Sequence, residues 1–453
     1  MEPIKSTHLL DRFNQWLKES ITVKLASIGF LVLILLIPAA WIQNMIEERQ
    51  HRAESVIAEV SNKWSGSQIL SGPVLVVPYK FRETIKINKD QVEIKESTRK
   101  TFFLPESLDI TGTVNPEKLH RGIFDAVVYE SALTMKASFS KPDFKRLDIS
   151  DDMILWNEAH LAIAISDLRG ISNNPPAITA GKQSLVSEPA QNIGISTGTA
   201  TGIVAPLHWK SETDFEAAAE ITFTLKGSSQ LNFVPSGKST SVNLSGPWPD
   251  PSFDGEFLPA TREVTEKGFA ATWKVLHFNR PFAQQWKDSQ EELGGSAFGL
   301  NLLLPVDQYQ KSMRTAKYGI LIILLTFVAL VLVEITQRIR IHPFQYILIG
   351  AALIIYYTLL LSFSEQVGFN AAYWIAAAAT VSLITVYSTT FLKKKNLSAL
   401  TSGLLVVFYS FIYIIILQQD YSLLIGSIGL FLILAALMFF SRKVNWYKDS
   451  EST

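Results

Sequence analysis

The sequence contains no cysteine among its 453 residues. It can therefore form no disulfide, no cysteine-ligated zinc site and no thiol nucleophile. This absence is compatible with an oxidising compartment, where a free thiol is a liability. The sequence also lacks an excess of either charge, because 41 basic residues balance 41 acidic ones. A nucleic-acid-binding surface normally carries a basic excess, so we expect no nucleic acid among the partners.

Catalytic and cofactor motifs are equally scarce. The seven histidines are scattered without metal-ligand spacing, and no phosphate-binding or dinucleotide fingerprint occurs. Gly194-Ile195-Ser196-Thr197-Gly198 has the spacing of a hydrolase nucleophile elbow, but its flanks resemble a polar loop and not the required strand and helix. We therefore expect no enzyme, no metal and no cofactor. A membrane hydrolase that uses distant residues is a minor alternative.

Long hydrophobic runs dominate the C-terminal third of the chain. A bilayer core of about 30 Å requires roughly 20 apolar helical residues, and lipid favours helices because they satisfy their own backbone hydrogen bonds. Five segments fit this length within a block spanning residues 317–440: Tyr318–Ile335, Phe344–Phe363, Ala371–Leu392, Leu400–Leu417 and Tyr421–Phe440. The sequence thus predicts an integral membrane protein.

A further apolar run, Val23–Met45, follows a polar N-terminal segment of residues 1–22. Its length and the lack of a clear cleavage site favour a retained anchor over a cleaved signal peptide. Apolar residues then recur three and four positions apart as far as Trp64, between charged residues. This spacing predicts a helical stalk that packs on the next domain.

Basic residues alternate between the short connections of the predicted helices. They occur in the N-terminal segment, at Arg338 and Arg340, at Lys393–Lys395, and at Arg442 and Lys443, whereas the other two short connections contain none. The positive-inside rule therefore predicts six transmembrane helices with both termini in the cytoplasm, including the tail of residues 441–453. Residues 46–316 would then lie in the periplasm of a bacterial cell.

The region of residues 46–316 is typical of β structure. Alternating or β-branched runs separated by Gly and Pro turns predict a sandwich-like, β-rich extracytoplasmic domain. The predicted strands are Gly72–Tyr79, Thr84–Glu93, Ser107–Val114, Phe124–Phe139, Ala159–Asp167, Glu220–Lys226, Ser239–Leu244, Gly268–Phe278 and Phe298–Leu304.

Several polar or aromatic positions allow two interpretations. The stretch from Trp248 to Gly255 is either a rigid turn with buried aromatic residues or a recognition loop. Glu334 and Glu365 lie near opposite ends of predicted transmembrane helices, where helix-end contacts are favoured over a transport role. Tyr373 suits an interfacial aromatic belt.

Several motifs can be set together. They are Trp64-x3-Gln68-x3-Gly72-Pro73-x-Leu75-x2-Pro78-Tyr79, Arg121-Gly122-Ile123, Ser166-Asp167-x-Arg169-Gly170, Trp248-Pro249-x-Pro251-Ser252-Phe253-x-Gly255-x2-Leu258-Pro259, Arg314-x2-Lys317-Tyr318-Gly319, His342-Pro343-x-Gln345-Tyr346 and Glu365-x2-Gly368-Phe369-x2-Ala372-Tyr373. Their order and spacing resemble the CreD family of bacterial inner-membrane proteins over nearly the whole chain. The resemblance implies a link to envelope integrity, colicin tolerance and responses to cell-wall-active antibiotics. It supplies no catalytic residue.

The candidate positions, functional or structural, are Trp64, Gln68, Gly72, Pro73, Arg121, Asp167, Arg169, Trp248, Pro251, Phe253, Arg314, Lys317, Glu334, His342, Gln345, Glu365 and Tyr373. The leading hypothesis is a non-enzymatic envelope protein, anchored in the lipid bilayer, whose β domain binds a periplasmic or membrane protein or a cell-wall component. The alternative is a transporter or lipid-handling protein that uses the C-terminal helices.

Overall fold

The structure is a computed structural model that describes residues 21–88, 91–172, 174–196, 201–289, 291–302, 307–337, 339–392, 394–418 and 421–442. The chain divides into two compact units. The helical unit comprises Met1–Ala53 and Pro305–Thr453, and the β unit comprises Glu54–Leu304. The predicted segment of residues 1–22 and the predicted tail lie almost entirely outside the described residues.

Helices form the first unit. The described α-helices are α1 (Ile21–Trp64), α2 (Asp307–Lys317), α3 (Gly319–Gln337), α4 (Pro343–Val367), α5 (Phe369–Leu392), α6 (Lys395–Leu417) and α7 (Ser422–Ser441). Among the described residues, five helical stretches are long and apolar enough to cross a membrane, namely Val23–Trp64, Gln308–Gln337, Pro343–Val367, Phe369–Leu392 and Lys395–Leu417. Helices that could span a membrane are thus confirmed, while the sixth span, over α7, stays a prediction.

Two helix boundaries differ from the sequence-based expectation. The anchor and the stalk form one continuous helix of 44 residues, with Pro38 inside it. The second span is entered through α2, which begins at Asp307 and precedes the predicted start at Tyr318. Charged residues such as Arg314 give α2 the composition of a soluble segment, so hydropathy cannot detect that it belongs to the helical unit.

Strands form the second unit. Their bounds are β1 (Gln68–Asn88), β2 (Gln91–Phe103), β3 (Ser107–Arg121), β4 (Phe124–Ser138), β5 (His160–Ile165), β6 (Ala177–Ala180), β7 (Gln183–Leu185), β8 (Glu188–Gln191), β9 (Ile195–Ser196), β10 (Thr201–Pro206), β11 (Ala218–Ser228), β12 (Gln230–Phe233), β13 (Ser239–Gly246), β14 (Ser252–Gly255), β15 (Thr261–Thr265), β16 (Gly268–Leu276), β17 (Gln285–Lys287), β18 (Glu291–Glu292) and β19 (Phe298–Asn301). The β-rich domain is therefore confirmed.

Two large sheets enclose one hydrophobic core. The nine-stranded sheet has the order β14-β19-β12-β1-β5-β10-β8, and in addition β2 pairs with β1 and β17 pairs with β2. The eight-stranded sheet has the order β15-β16-β13-β3-β4-β11-β6-β7. Buried side chains of both sheets, such as Leu75, Phe233, Leu133 and Trp273, form a single cluster. This arrangement is a sandwich, because alternate residues of each strand point toward the opposite sheet.

Strand β1 is buried on both faces. Leu75 and Val77 belong to the core between the sheets, whereas Val74 and Val76 pack in a second cluster with Phe102 on the other face. A strand covered on both sides needs apolar residues at successive positions instead of alternation. The continuous apolar run of the sequence here is thereby explained.

Gly72 and Pro73 mark the point where β1 changes neighbours. Residues 68–70 pair with β12, and the pairing with β2 begins at Leu75. Gly72 has a φ of +104°, and a Cβ atom there would lie 2.9 Å from the carbonyl oxygen of Ala162. Proline lacks an N–H, so it fits a position where β1 no longer pairs with β12 and does not yet pair with β2. Both candidate residues thus have an architectural role.

The prediction of one strand over Thr84–Glu93 is wrong. β1 ends at Asn88, β2 begins at Gln91, and the two strands pair with each other as a hairpin. Apolar and polar residues alternate along both arms, so periodicity alone does not show where the chain reverses direction.

Candidate functional site

The side chain of Gln68 organises the junction between the end of α1 and the β sandwich. It is fully buried. Its Nε2 lies 2.9 Å from Ser65 Oγ, 2.9 Å from the carbonyl oxygen of Asp167 and 3.0 Å from that of Lys226. Its Oε1 accepts a hydrogen bond of 3.2 Å from the Asp167 backbone N–H. One amide therefore connects the helix end to two strands of different sheets and to the turn after β5.

Asp167 and Arg169 form the charged part of this junction. The Arg169 guanidinium donates to the Asp167 carboxylate at 2.6 and 2.9 Å, and the Gly66 N–H donates to it at 2.9 Å. These hydrogen bonds, chiefly those from Arg169, lower the pKa of Asp167 to about 2. Arg169 also donates to the carbonyl oxygen of Asn62 at 2.8 Å, which caps the C-terminal end of α1.

Trp64 and Arg121 fasten the last turns of α1 to the eight-stranded sheet. The Lys226 ammonium lies 4.9 Å above the Trp64 ring, within the range of a cation–π contact. Arg121, at the tip of the β3–β4 hairpin, pairs with Glu59 of α1 at 2.9 Å. The structure thus brings five of the predicted positions, Trp64, Gln68, Arg121, Asp167 and Arg169, together around one helix end.

The outward side of the eight-stranded sheet carries a row of short polar residues. We call this row, together with the hollows along it, the threonine face: Thr261, Thr272, Asn243, Thr111, Thr134 and Thr222 are successive cross-strand partners. The Thr272 hydroxyl donates to Asn243 Oδ1 at 2.8 Å. A hollow of about 440 Å³ lies over the centre of the row.

The stretch from Trp248 to Gly255 turns its aromatic residues inward. Trp248 is buried, and its indole N–H donates to the carbonyl oxygen of Asp250 at 3.1 Å. Phe253 packs edge-on against Phe269 and Trp273, and Pro251 is half-buried. This geometry matches the turn interpretation, and the aromatic rings are not available for recognition.

Glu334 forms a buried polar contact in the helical unit. It is 7% exposed and accepts hydrogen bonds of 3.0 Å each from the Ile341 N–H and the Tyr346 hydroxyl. Its carboxylate also pairs with the Lys24 ammonium of α1, which lies 3.3 Å from the carbonyl oxygen of Ile341. The contact joins α1, α3 and α4, as a packing interpretation of Glu334 requires.

His342 and Gln345 form the start of α4. The His342 N–H donates to Gln345 Oε1 at 3.0 Å, and the His342 ring accepts from the Phe344 N–H at 3.2 Å. This reciprocal pattern is a capping box, in which side chains satisfy backbone groups of the first helical turn. Both predicted positions are therefore helix caps, adjacent to the Glu334 contact.

Glu365 lies near the C-terminal end of α4. Its carboxylate accepts a hydrogen bond of 3.0 Å from the buried Tyr309 hydroxyl of α2. The other predicted positions of this region, Arg314 and Lys317, are half-buried and exposed, respectively. Glu365 is half-buried, so it retains contact with solvent or headgroups and connects α2 to α4.

The assignment of Tyr373 to an interfacial belt is wrong. The residue is fully buried, and its hydroxyl donates to the carbonyl oxygen of Tyr409 at 2.7 Å. It belongs to an internal aromatic cluster with Tyr356, Tyr409 and Tyr413. The next residue, Trp374, is 43% exposed and suits the belt. Helical periodicity separates the two neighbours by about 100°, so one faces the bundle and the other faces outward.

Sequence reasoning missed the partners of these residues. Lys24, Tyr309 and the backbone carbonyl of Tyr409 take part in polar contacts of the helical unit, and the buried Tyr356 lies beside Tyr357 and Tyr409. Lys24 and Glu334 are 310 positions apart, so no local spacing could pair them. Three of the tyrosines, Tyr356, Tyr357 and Tyr409, carry one usable signal, since they occur in the predicted spans without a neighbouring charge.

The part of the chain that the structure describes gives little support for a catalytic or metal-binding site. No cluster of three or more His, Asp or Glu residues there could hold a metal ion. Ser196, in the hydrolase-like spacing, ends the two-residue strand β9, and strand β10 begins at Thr201. Thr197 and Gly198 lie outside the described residues.

Apolar helices of spanning length and a large β unit define this chain as a multi-pass membrane protein with a folded domain between its first two spans. The family described as "Inner membrane protein CreD" matches residues 20–447. The inner membrane protein CreD of Escherichia coli (strain K12) is 33% identical over 440 residues, which are 96% of this chain and 95% of that protein. The chain belongs to the CreD family, as the motifs of the sequence indicated.

Proposed function

We propose that this protein supports the integrity of the bacterial cell envelope as a non-enzymatic inner-membrane protein. Its β unit would lie in the periplasm, with both chain termini in the cytoplasm. There it would bind a periplasmic protein, a membrane protein or a cell-wall component. In this role the protein would contribute to colicin tolerance and to the response to cell-wall stress.

The proposal rests on the contacts that the side chains of the candidate residues make. Gln68, Asp167 and Arg169 direct their side chains into the protein's own backbone, and Glu334 is held by a cation and two hydrogen bonds. A catalytic group must instead face a substrate within hydrogen-bonding reach. These residues therefore maintain an architecture, which suits a binding protein better than an enzyme.

The test is complementation of a strain that lacks the gene, scored by its sensitivity to detergent and to a β-lactam. The full chain is compared with a chain that ends at Leu304, which keeps α1 and the β unit. We expect the shortened chain to restore resistance when its abundance in the membrane equals that of the full chain. An equally abundant but inactive shortened chain would overturn the proposal that the β unit alone carries the function.

A transporter or lipid-handling protein is the second candidate. It is favoured by the polar contacts of the helical unit, namely the Tyr309–Glu365 hydrogen bond and the internal tyrosines. Glu365→Gln keeps the hydrogen bond but removes the charge. In the binding role this variant complements fully, whereas a transporter that moves a cation or proton through Glu365 loses function at normal protein abundance.

A reporter fused after Lys395 tests the proposed orientation. The position follows the fourth predicted span and precedes the fifth, so we expect a cytoplasm-specific reporter to be active there. Activity confined to a reporter that works only outside the cytoplasm would invert the topology and place the β unit in the cytoplasm.

A further inference from the structure

Four tyrosines meet inside the helical unit, and we call them the tyrosine cluster: Tyr356 and Tyr357 on α4, Tyr373 on α5 and Tyr409 on α6. Each is at most 4% exposed. The ring centres of Tyr356 and Tyr409 are 4.6 Å apart, and those of Tyr356 and Tyr373 are 5.8 Å apart. The ring centres of Tyr356 and Tyr357 are 4.8 Å apart, and those of Tyr373 and Tyr409 are 6.5 Å apart. The four rings therefore share one small region of the bundle.

Three of these hydroxyls lack a hydrogen-bond partner among the residues that the structure describes. They belong to Tyr356, Tyr357 and Tyr409. Only Tyr373 is satisfied, through the Tyr409 carbonyl oxygen. The Tyr356 hydroxyl approaches that of Tyr373 but without the geometry of a hydrogen bond. Among the described residues, eleven buried side-chain atoms lack a partner, and three of them are these neighbouring phenols, although buried polar groups are nearly always bonded.

The membrane makes this arrangement costly. The hydrocarbon core contains no bulk water to satisfy a polar group, so an orphan hydroxyl destabilises the folded protein. Phenylalanine would fill nearly the same volume at each of these positions without that penalty. Phenols in this place are therefore explained best by a hydrogen-bonding partner that the side chains themselves do not supply.

The cluster also limits what the partner can be. None of its members is ionised at neutral pH, and a bare ion would lack a counter-charge within it. The Tyr357 ring also lies against α3, since a Cβ atom on Gly319 would come within 2.9 Å of its ring and hydroxyl. A water molecule makes two to four hydrogen bonds, which matches the donors and acceptors of three phenols.

We propose that the tyrosine cluster is a binding site for small neutral hydrogen-bonding molecules, occupied by water in the membrane. The Tyr356, Tyr357 and Tyr409 hydroxyls bind the molecule, and through it they hold α4 to α6. Tyr373 fixes the position of α6 through its own hydrogen bond to the Tyr409 carbonyl oxygen. This site is separate from the β unit, so it does not depend on the function proposed above.

Radiolytic footprinting of the full chain in lipid nanodiscs tests for the water directly, because radicals form where water is bound. We expect Tyr356, Tyr357 and Tyr409 to be oxidised several-fold faster than Phe327. That residue is the matched control, since it is aromatic, fully buried in α3 and carries no polar atom. Oxidation of the three tyrosines at the rate of Phe327 would overturn the proposal.

Removal of single hydroxyls provides the second test. Tyr356→Phe, Tyr357→Phe and Tyr409→Phe should each lower the Tm by about 2–4 °C, since each removes a ligand of the bound water. Double variants should lose little more than single ones, because the site is already lost. Tyr421→Phe, at an exposed tyrosine, is the control and should leave the Tm unchanged. Additive increases in Tm would show that the hydroxyls were orphans, and the proposal would fail.

Discussion

Two buried polar regions of the molecule differ in whether their hydrogen-bonding groups have partners. At the junction of α1 with the β sandwich, both ends of the Gln68 amide are bonded, and the Asp167 carboxylate faces a guanidinium. In the tyrosine cluster, three hydroxyls have no partner in the described part of the chain. The comparison separates residues that maintain the architecture from residues whose chemistry remains available to a bound molecule.

Of the substitutions considered, Gln68→Ala should destabilise the protein most, through the junction of α1 with the β sandwich. The substitution removes four hydrogen-bonding contacts and leaves buried backbone groups of Asp167 and Lys226 without partners. At about 1 kcal/mol for each contact, the loss of unfolding free energy should be about 3–4 kcal/mol. Thermal unfolding of the full chain in nanodiscs, followed by the near-ultraviolet signal of the β unit, measures it.

Ser67→Ala is the matched control for Gln68. The side chain is the adjacent one, it is exposed, and its single hydrogen bond to the Ser228 carbonyl oxygen is 3.3 Å long. We expect a loss of about 0.5 kcal/mol or less. Equal effects of the two substitutions would contradict the role assigned to the Gln68 amide.

Lys24→Met should destabilise the helical unit by about 2–3 kcal/mol, because it leaves the Glu334 carboxylate buried without its cation. Lys24 is itself 31% exposed, so water moderates the cost. The double variant Lys24→Met/Glu334→Leu should regain much of the loss, since it removes both charges. Melting temperatures of the three proteins decide this, and a double variant less stable than the single one would contradict the pairing.

Asp167→Asn should change the pH dependence of the β unit. The folded-state pKa of Asp167 is lowered to about 2, below its unfolded value of about 4. The carboxylate therefore stabilises the folded state above about pH 4, and this contribution disappears as the pH falls from about 4 to 2. Because Arg169 is largely exposed, we expect only about 1–2 kcal/mol.

Unfolding curves at several pH values test the Asp167 prediction. The difference between the natural protein and Asp167→Asn should shrink as the pH falls toward 2 and below, because the Asp167 side chain is then increasingly protonated and, like asparagine, neutral. A difference that stays constant from pH 7 to pH 2 would show that the carboxylate charge contributes nothing.

Glu365→Gln should have the smallest effect, about 0.5 kcal/mol or less, because glutamine can still accept the hydrogen bond from Tyr309. The substitution tests whether stability or function requires a half-buried charge in the helical unit. The Tm and the resistance phenotype should both match the natural protein. A lost phenotype at an unchanged Tm would favour the transport alternative.

Much of the fold follows from local pattern. Apolar runs of spanning length identify the membrane helices, and alternation identifies strands such as β3 and β16. The turn within Thr84–Glu93 escapes prediction because both arms of the hairpin alternate alike. The start of α2 escapes because its charged composition differs from that of a membrane span, although it continues directly into α3.

The candidate sites depend on contacts between distant parts of the chain. Resemblance marks Gln68, Asp167 and Arg169, but only the fold shows that they meet at the end of α1. Tyr373 was predicted at the interface because tyrosine is frequent there, whereas its helical face directs it inward. Residues such as Lys24 carry no local signal of their partner, since the pairing exists only after the helices pack.

Crosslinking in living cells tests the central claim, that the β unit binds an envelope component. A photoreactive amino acid is placed in the full chain at Thr111 or Asn243 of the threonine face, or at Thr213, an exposed residue elsewhere in the β unit. Phe431, exposed on α7, provides the lipid-facing control. The proposed function predicts a discrete adduct from at least one β-unit position and none from Phe431. Full resistance in every strain without an adduct at any β-unit position would contradict it.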